Sequence, residues 1–266
     1  MSETAPMLDW ADLIWSDADG GTVHLHGVLP SVVLPRSLRP EVRWDGLALI
    51  EPHDVEEAWA ATEAEEAEER GANLAHARFS GGLDGEYLDR LMGLEGVSGG
   101  RFPDPEPRRL QRLAVRHQRP TYYLEPDASD EAWNDLLGDE AEALAHWRTM
   151  LGAMFQRRRW KRAIRQFAPH AVIPEREHQD HAIASVLAAV WWWQIEQRRG
   201  PDVARRRWDR IAGRLRGALA DLRSDVEDPV LLLPMIQSAR QDLIEALERA
   251  SDIERLLRNE EPSEVG

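Results

Sequence analysis

The spacing of apolar residues changes character about halfway along the chain. Residues 22–29 alternate, with Val23 and Leu25 to one side and His24 and His26 to the other, the period of a half-buried strand whose histidines face water. Residues 42–50 predict a second strand and 121–124 a third, with Pro30, Pro35 and Pro40 punctuating the chain between the first two. A helix rich in alanine and glutamate fits 54–70, where Val55 and Trp59 carry the thin apolar content and most positions are solvated. Glycines 81, 82, 85, 93, 96, 99 and 100 mark a loop-rich stretch, "SGGLDG" included, around a short helix near 87–91. "FPDPEP" breaks the chain again before a short basic helix at 108–116.

Beyond residue 130 the period becomes helical. Gly138 is read as ending one short helix and Asp139 as capping the next, which runs to about residue 167. Pro174 suits the first position of another helix, ending at Arg199 and Gly200, and Pro201 with Asp202 opens a third, to about residue 223. Asp228 and Pro229 open the last, to about residue 258 with a bend at Pro234. Short connections make successive helices antiparallel, which predicts an up-down-up-down bundle of about four long helices. Trp208, Ile211, Leu215, Leu219 and Leu222 form one stripe, with Arg207, Arg210 and Arg214 beside it. Ile236, Ala239, Leu243, Ala246, Ala250, Ile253 and Leu257 form another, which is either a seam inside the bundle or a homodimer contact through residues 236–257. Residues 182–193 are apolar on every side except at Ser185, so that helix is the central, buried one. The predicted class is α+β, mainly α: an acidic mixed region over 1–125, a linker at 126–130, an arginine-rich helical bundle over 131–260 and a disordered tail at 261–266.

Charge supports this division. The net charge is −15, yet residues 1–100 hold 20 acids and 6 bases while 139–225 hold 11 acids and 17 bases. Of 33 basic residues only Lys161 is lysine, a bias that fits a GC-rich bacterial genome. An overall negative surface opposes unselective nucleic-acid binding. With no cysteine, disulfides, thiolate metal sites and cysteine nucleophiles are excluded. The acidic start lacks the apolar core of a signal peptide, and no apolar run reaches the roughly 20 residues of a membrane span, so a cytoplasmic protein is expected. The phosphate-cradling loop with its lysine, the nucleophile elbow, the His-Glu-x-x-His helix and the dinucleotide fingerprint are all missing.

One polar cluster could carry chemistry. Glu175, Glu177 and Asp180 sit where the start of the central helix favours negative charge, and are expected to meet the basic end of the preceding helix, "RRRWKRAIRQ". His170, His178 and His181, joined by Asp221 or Asp225, are an alternative zinc set. A carboxylate-bridged di-iron bundle would need a second Glu-x-x-His pair, and Glu142 with His146 lies at the far end of an antiparallel neighbour. Arg176 and His181 in "REHQDH" have an Arg-x4-His spacing that resembles the catalytic motif of the helical HEPN ribonucleases, and Arg165 with His170 repeats it. That resemblance implies an arginine and a histidine flanking a scissile phosphate.

The arginines point elsewhere. Arg157, Arg158, Arg159, Lys161, Arg162 and Arg165, within a stretch over 143–174 that holds no acid, are the residues expected to meet an anionic partner, with Arg207, Arg210 and Arg214 as a second set. The expected function is a non-enzymatic interaction subunit of a larger bacterial assembly, its partner an anionic protein or nucleic acid, with no cofactor and no membrane contact. A nucleic-acid-binding regulator and the ribonuclease are the alternatives. Trp191, Trp192 and Trp193 are expected to pack in an aromatic core near Trp147 and Trp208.

Overall fold

In the computed structural model, which describes residues 8–127, 129–145 and 156–260, one five-stranded sheet organises the chain. Its strands are β1 (Leu13–Ser16), β2 (Thr22–Val28), β3 (Gly46–Leu49), β4 (Thr121–Tyr123) and β5 (Val230–Ile236), in the order β1-β2-β5-β3-β4. β1 runs antiparallel to β2, and every other pairing is parallel. The helices are α1 (Val55–Glu68), α2 (Ala72–Ser80), α3 (Gly82–Leu91), α4 (Pro105–Arg116) and α5 (Glu131–Ala145). They continue with α6 (Gln156–Phe167), α7 (Asp180–Arg199), α8 (Pro201–Leu222) and α9 (Arg240–Glu260).

The α+β, mainly helical class holds, but a four-helix bundle is not what the described residues show. The main reason is β5. Residues 230–236 were expected to start a helix bent at Pro234; they form the central strand instead, between β2 and β3. "VLLLPMI" is apolar on both faces because both are covered. Leu231, Leu233 and Met235 join the core built with α5, α8 and α9, whereas Leu232 joins the one built with α1 and α4. A parallel strand covered on both sides reads as an unbroken apolar run, which periodicity cannot separate from a buried helix. Pro234 fits because its missing N–H falls outside a ladder. Val230 bonds through both backbone groups to Asp45, so alternation turns residues 232 and 234 toward β3, and the β3 ladder ends at Leu232.

Three boundaries also move. Gly138 lies inside α5, not at a helix end. The chain from Pro174 is a turn, and α7 starts at Asp180. Gly82 to Gly85, expected in a loop, form the first turn of α3, after a left-handed break at Gly81. The predicted helix over 139–167 crosses residues 146–155, which lie outside the described residues, as do His146, Trp147 and the expected tail at 261–266.

Other patterns carry over intact. α1 buries Val55 and Trp59 and exposes most of the rest. The α8 stripe of Trp208, Ile211, Leu215, Leu219 and Leu222 is wholly buried against the sheet and α9. α7 buries residues 184–190, and Ile183 is exposed. A third core joins it to α3, α6 and the chain leaving β2, through Tyr87, Leu91, Trp160, Phe167 and Val190. The α9 stripe is satisfied within one chain as far as Leu247: Ala239, Leu243 and Ala246 belong to the core shared with α8. The side chains of Ile253 and Leu257 lie outside the described set.

Candidate functional site

α6 is amphipathic in the plain sense. Trp160, Ala163 and Phe167 recur at three and four residues and are buried, Trp160 beneath the Arg90 guanidinium at 5.2 Å and Phe167 edge-on to Trp193 at 6.1 Å. Six of the other nine positions carry Arg157, Arg158, Arg159, Lys161, Arg162 and Arg165, all exposed. Among the described residues none of the six forms an ion pair. The row repels its neighbours: Arg198 on α7 has its pKa lowered first by burial and then by Arg159.

The second arginine set, Arg207, Arg210 and Arg214 of α8, has a different fate. Arg207 pairs with Glu125 beyond β4 and, at 3.5 Å, with Glu140 of α5, and its guanidinium lies 5.0 Å over the Trp133 ring. Arg210 pairs with Asp130, and Arg214 donates to the Tyr123 carbonyl at 3.1 Å. Arg199 joins the same network, pairing with Glu140 at 2.5 Å and with Glu196, and stacking 5.7 Å over Trp192. Of the set expected to face a partner, Arg207 is half-buried in this network, while Arg210 and Arg214 make their contacts within the chain from exposed positions.

The carboxyl ends of the parallel strands gather buried acid. β3 and β4 end in the same way, "IEP" at 50–52 and "LEP" at 124–126, and the register Leu49↔Tyr123 sets Glu51 beside Glu125, whose N–H donates to the Glu51 carbonyl at 3.2 Å. Burial, then Glu125, raises the Glu51 carboxyl to about 7. Burial also raises Asp104 to about 7, with Glu51 and Glu106 adding to the effect. Glu106 is 1% exposed and is held by Arg109, whose Nε donates to Oε2 at 2.8 Å. Asp104 Oδ1 and Glu106 Oε1 are buried without a hydrogen-bond partner. Carboxyls titrating near neutrality can carry protons. Sequence reading missed these residues because "FPDPEP" looked only like a chain break. The repeated apolar-Glu-Pro at two strand ends was the available signal.

The 170–181 cluster disperses. His170 is exposed in a short 3-10 turn, and Arg176, with φ of 63°, is exposed in the turn before α7. His181 is buried, its Nδ1 3.2 Å from the His178 carbonyl and its ring 6.2 Å edge-on to Trp10. Asp180 accepts the Gly96 N–H at 2.8 Å, and Glu177 accepts the Ser37 hydroxyl, so these acids anchor loops instead of meeting α6 as expected. A Cβ at Gly96 would fall 2.1 Å from the His178 ring, so any larger residue there would have to displace that side chain. No group of three or more His, Asp or Glu side chains placed to hold a metal occurs among the described residues. His26 is buried rather than wet, its Nδ1 2.8 Å from Asp12 Oδ1. Trp191, Trp192 and Trp193 do enter an aromatic cluster, Trp192 lying 6.0 Å from Trp208 and Trp191 5.7 Å from Tyr87.

Fold and sites together define an α+β protein with a covered mixed sheet and, on α6, a row of six cations without ion-pair partners among the described residues. Compared with protein-family models, curated proteins and solved structures, the chain finds no match. No described helix is long and apolar enough to cross a membrane.

Proposed function

We propose that the protein is a non-enzymatic docking subunit of a larger assembly, and that it takes an acidic protein face on the α6 row, Arg157, Arg158, Arg159, Lys161, Arg162 and Arg165. One observation carries the reading: many arginines elsewhere in the fold, among them Arg206, Arg207, Arg210 and Arg249, meet carboxylates of the same chain, whereas these six cations cluster on one helix, exposed and without an ion-pair partner among the described residues. The row extends over about 12 Å of helix axis, a patch suited to one short acidic segment. Beyond the helix the chain exposes Val172 and Ile173, at 44% and 60%, which supports a protein partner whose apolar contacts lie beside the charged ones. The net charge of −15 disfavours a long polyanion reaching past the row.

The test uses fluorescence anisotropy with a labelled oligoglutamate peptide and with labelled single- and double-stranded nucleic acid. The peptide should bind the wild type, and Arg157→Glu with Arg158→Glu and Arg159→Glu should weaken it at least about tenfold. A steeply salt-dependent preference for nucleic acid would reassign the partner. Equal affinity in wild type and triple variant would remove the α6 row from the function.

A further inference from the structure

We infer that the cleft between α2 and the loop leading into α4 binds a small amphipathic anion, one charged head on an apolar body. The cleft holds about 590 Å³, within the range of small-ligand sites. Its walls include two carboxylates and two guanidiniums, and they are not equivalent. Glu63 is neutralised by Arg108, whose Nε donates at 3.1 Å, and by Arg112, and these cations lower its pKa. Glu66 is occupied locally, accepting the Gly71 N–H at 2.7 Å and the Asn73 amide at 3.3 Å. Arg70 and Arg101 are exposed and, among the described residues, neither forms an ion pair. The charge left for a ligand is therefore positive.

The rest of the lining is apolar. Leu74 and Phe102 are half-buried, and Met92 is 46% exposed, so a flexible thioether lies beside a ring and a branched side chain. Gly99 and Gly100 keep this wall close: a Cβ at Gly100 would fall 2.7 Å from the Met92 sulfur, and one at Gly99 2.7 Å from Leu91. A carboxylate or phosphate between Arg70 and Arg101 would gain charge-assisted hydrogen bonds while its hydrocarbon covers Met92, Leu74 and Phe102. This site is independent of the α6 row.

Calorimetric titration of the full chain tests it, with octanoate and octyl phosphate as probes and octanol and inorganic phosphate as half-ligands. At least one amphiphile should bind, and the tighter of the two identifies the head group. Each half-ligand should bind at least about tenfold more weakly, and Arg70→Ala and Arg101→Ala should each weaken the amphiphile about tenfold. Arg157→Glu with its two neighbours should leave this affinity unchanged, which separates the cleft from the docking reading. Should either alanine variant melt early, Arg70→Lys and Arg101→Lys keep the charge and should bind the amphiphile more tightly than the alanine variants but more weakly than the wild type. Binding by neither amphiphile, or equal binding by wild type and the double alanine variant, overturns the inference.

Discussion

Arginines turned into the fold and those on α6 share a side chain and differ in everything around it. Arg240 is 0% exposed and donates to the carbonyls of Asp9 at 2.6 Å, Ala11 at 2.7 Å and Gln237 at 3.1 Å, and its pKa is pulled down to about 10 by burial. Arg199 and Arg207 stack on tryptophans and share Glu140. α6 follows a stretch in which no acid is encoded, and its cations end in solvent. The difference teaches that arginine content alone does not locate an interface. What decides is whether acids or free carbonyls lie opposite once the chain has folded.

The contrast breaks hardest at Arg240. Replacing it with alanine empties a fully buried position and removes the guanidinium donors to the Ala11 and Gln237 carbonyls, while the Asp9 carbonyl keeps the Gln237 amide, and the urea midpoint should fall by an amount equivalent to about 3 kcal/mol. An unchanged midpoint would mean that the inward class stabilises nothing. Arg207→Ala should cost about 2 kcal/mol, because Glu125 then loses its ion-pair partner and Glu140 keeps only Arg199, while Trp133 loses its stacked guanidinium. Arg207→Lys should recover only part of this, since a single ammonium lacks the planar fork that reaches two carboxylates.

How much of this was legible in the sequence follows from the range of each interaction. The α8 stripe, the two buried positions of α1 and the strand at 22–28 were readable because a local period set them. β5 was not, because its place in the sheet depends on strand partners over 180 residues away, which "VLLLPMI" does not encode. His26 belongs to the same class: alternation placed it opposite Val23 and Leu25, but only the fold puts Asp12 and a covered face there. For the site, exposure of the α6 cations was foreseeable from a helix with Trp160, Ala163 and Phe167 on one side. The capture of Arg207, Arg210 and Arg214 was not, because it depends on where α5 and the β4 end come to rest. The paired Glu51 and Glu125 were half legible, as a repeated motif whose meaning needed the strand register.

The buried acids sharpen the comparison through pH. Asp104 has a folded pKa near 7, above its ordinary carboxylate value, so the folded state binds the proton more tightly than the unfolded chain. Its contribution is then fully present below about pH 4 and is lost as pH rises through about 7. Asp104→Asn removes the ionisation, so the variant should gain on the wild type between pH 6 and pH 8 by about 1 kcal/mol. Urea melts at both pH values read this difference directly. A variant that tracks the wild type at both would show that Asp104 is already charged when folded.

The smallest effects should come from α6 itself, and they differ along the helix. Arg157, Arg158 and Arg159 are exposed and lack described ion-pair partners, and Arg159 repels Arg198, so reversing them breaks no ion pair and should not lower the urea midpoint. Arg165 sits in the last turn, where a cation favours the carbonyl end of the helix, so Arg165→Glu should cost about 0.3–1 kcal/mol. That cost should shrink in high salt. If the triple reversal proved as damaging as Arg207→Ala, the row would be satisfied within the chain after all. The division between cations spent on folding and cations left for a partner would then vanish.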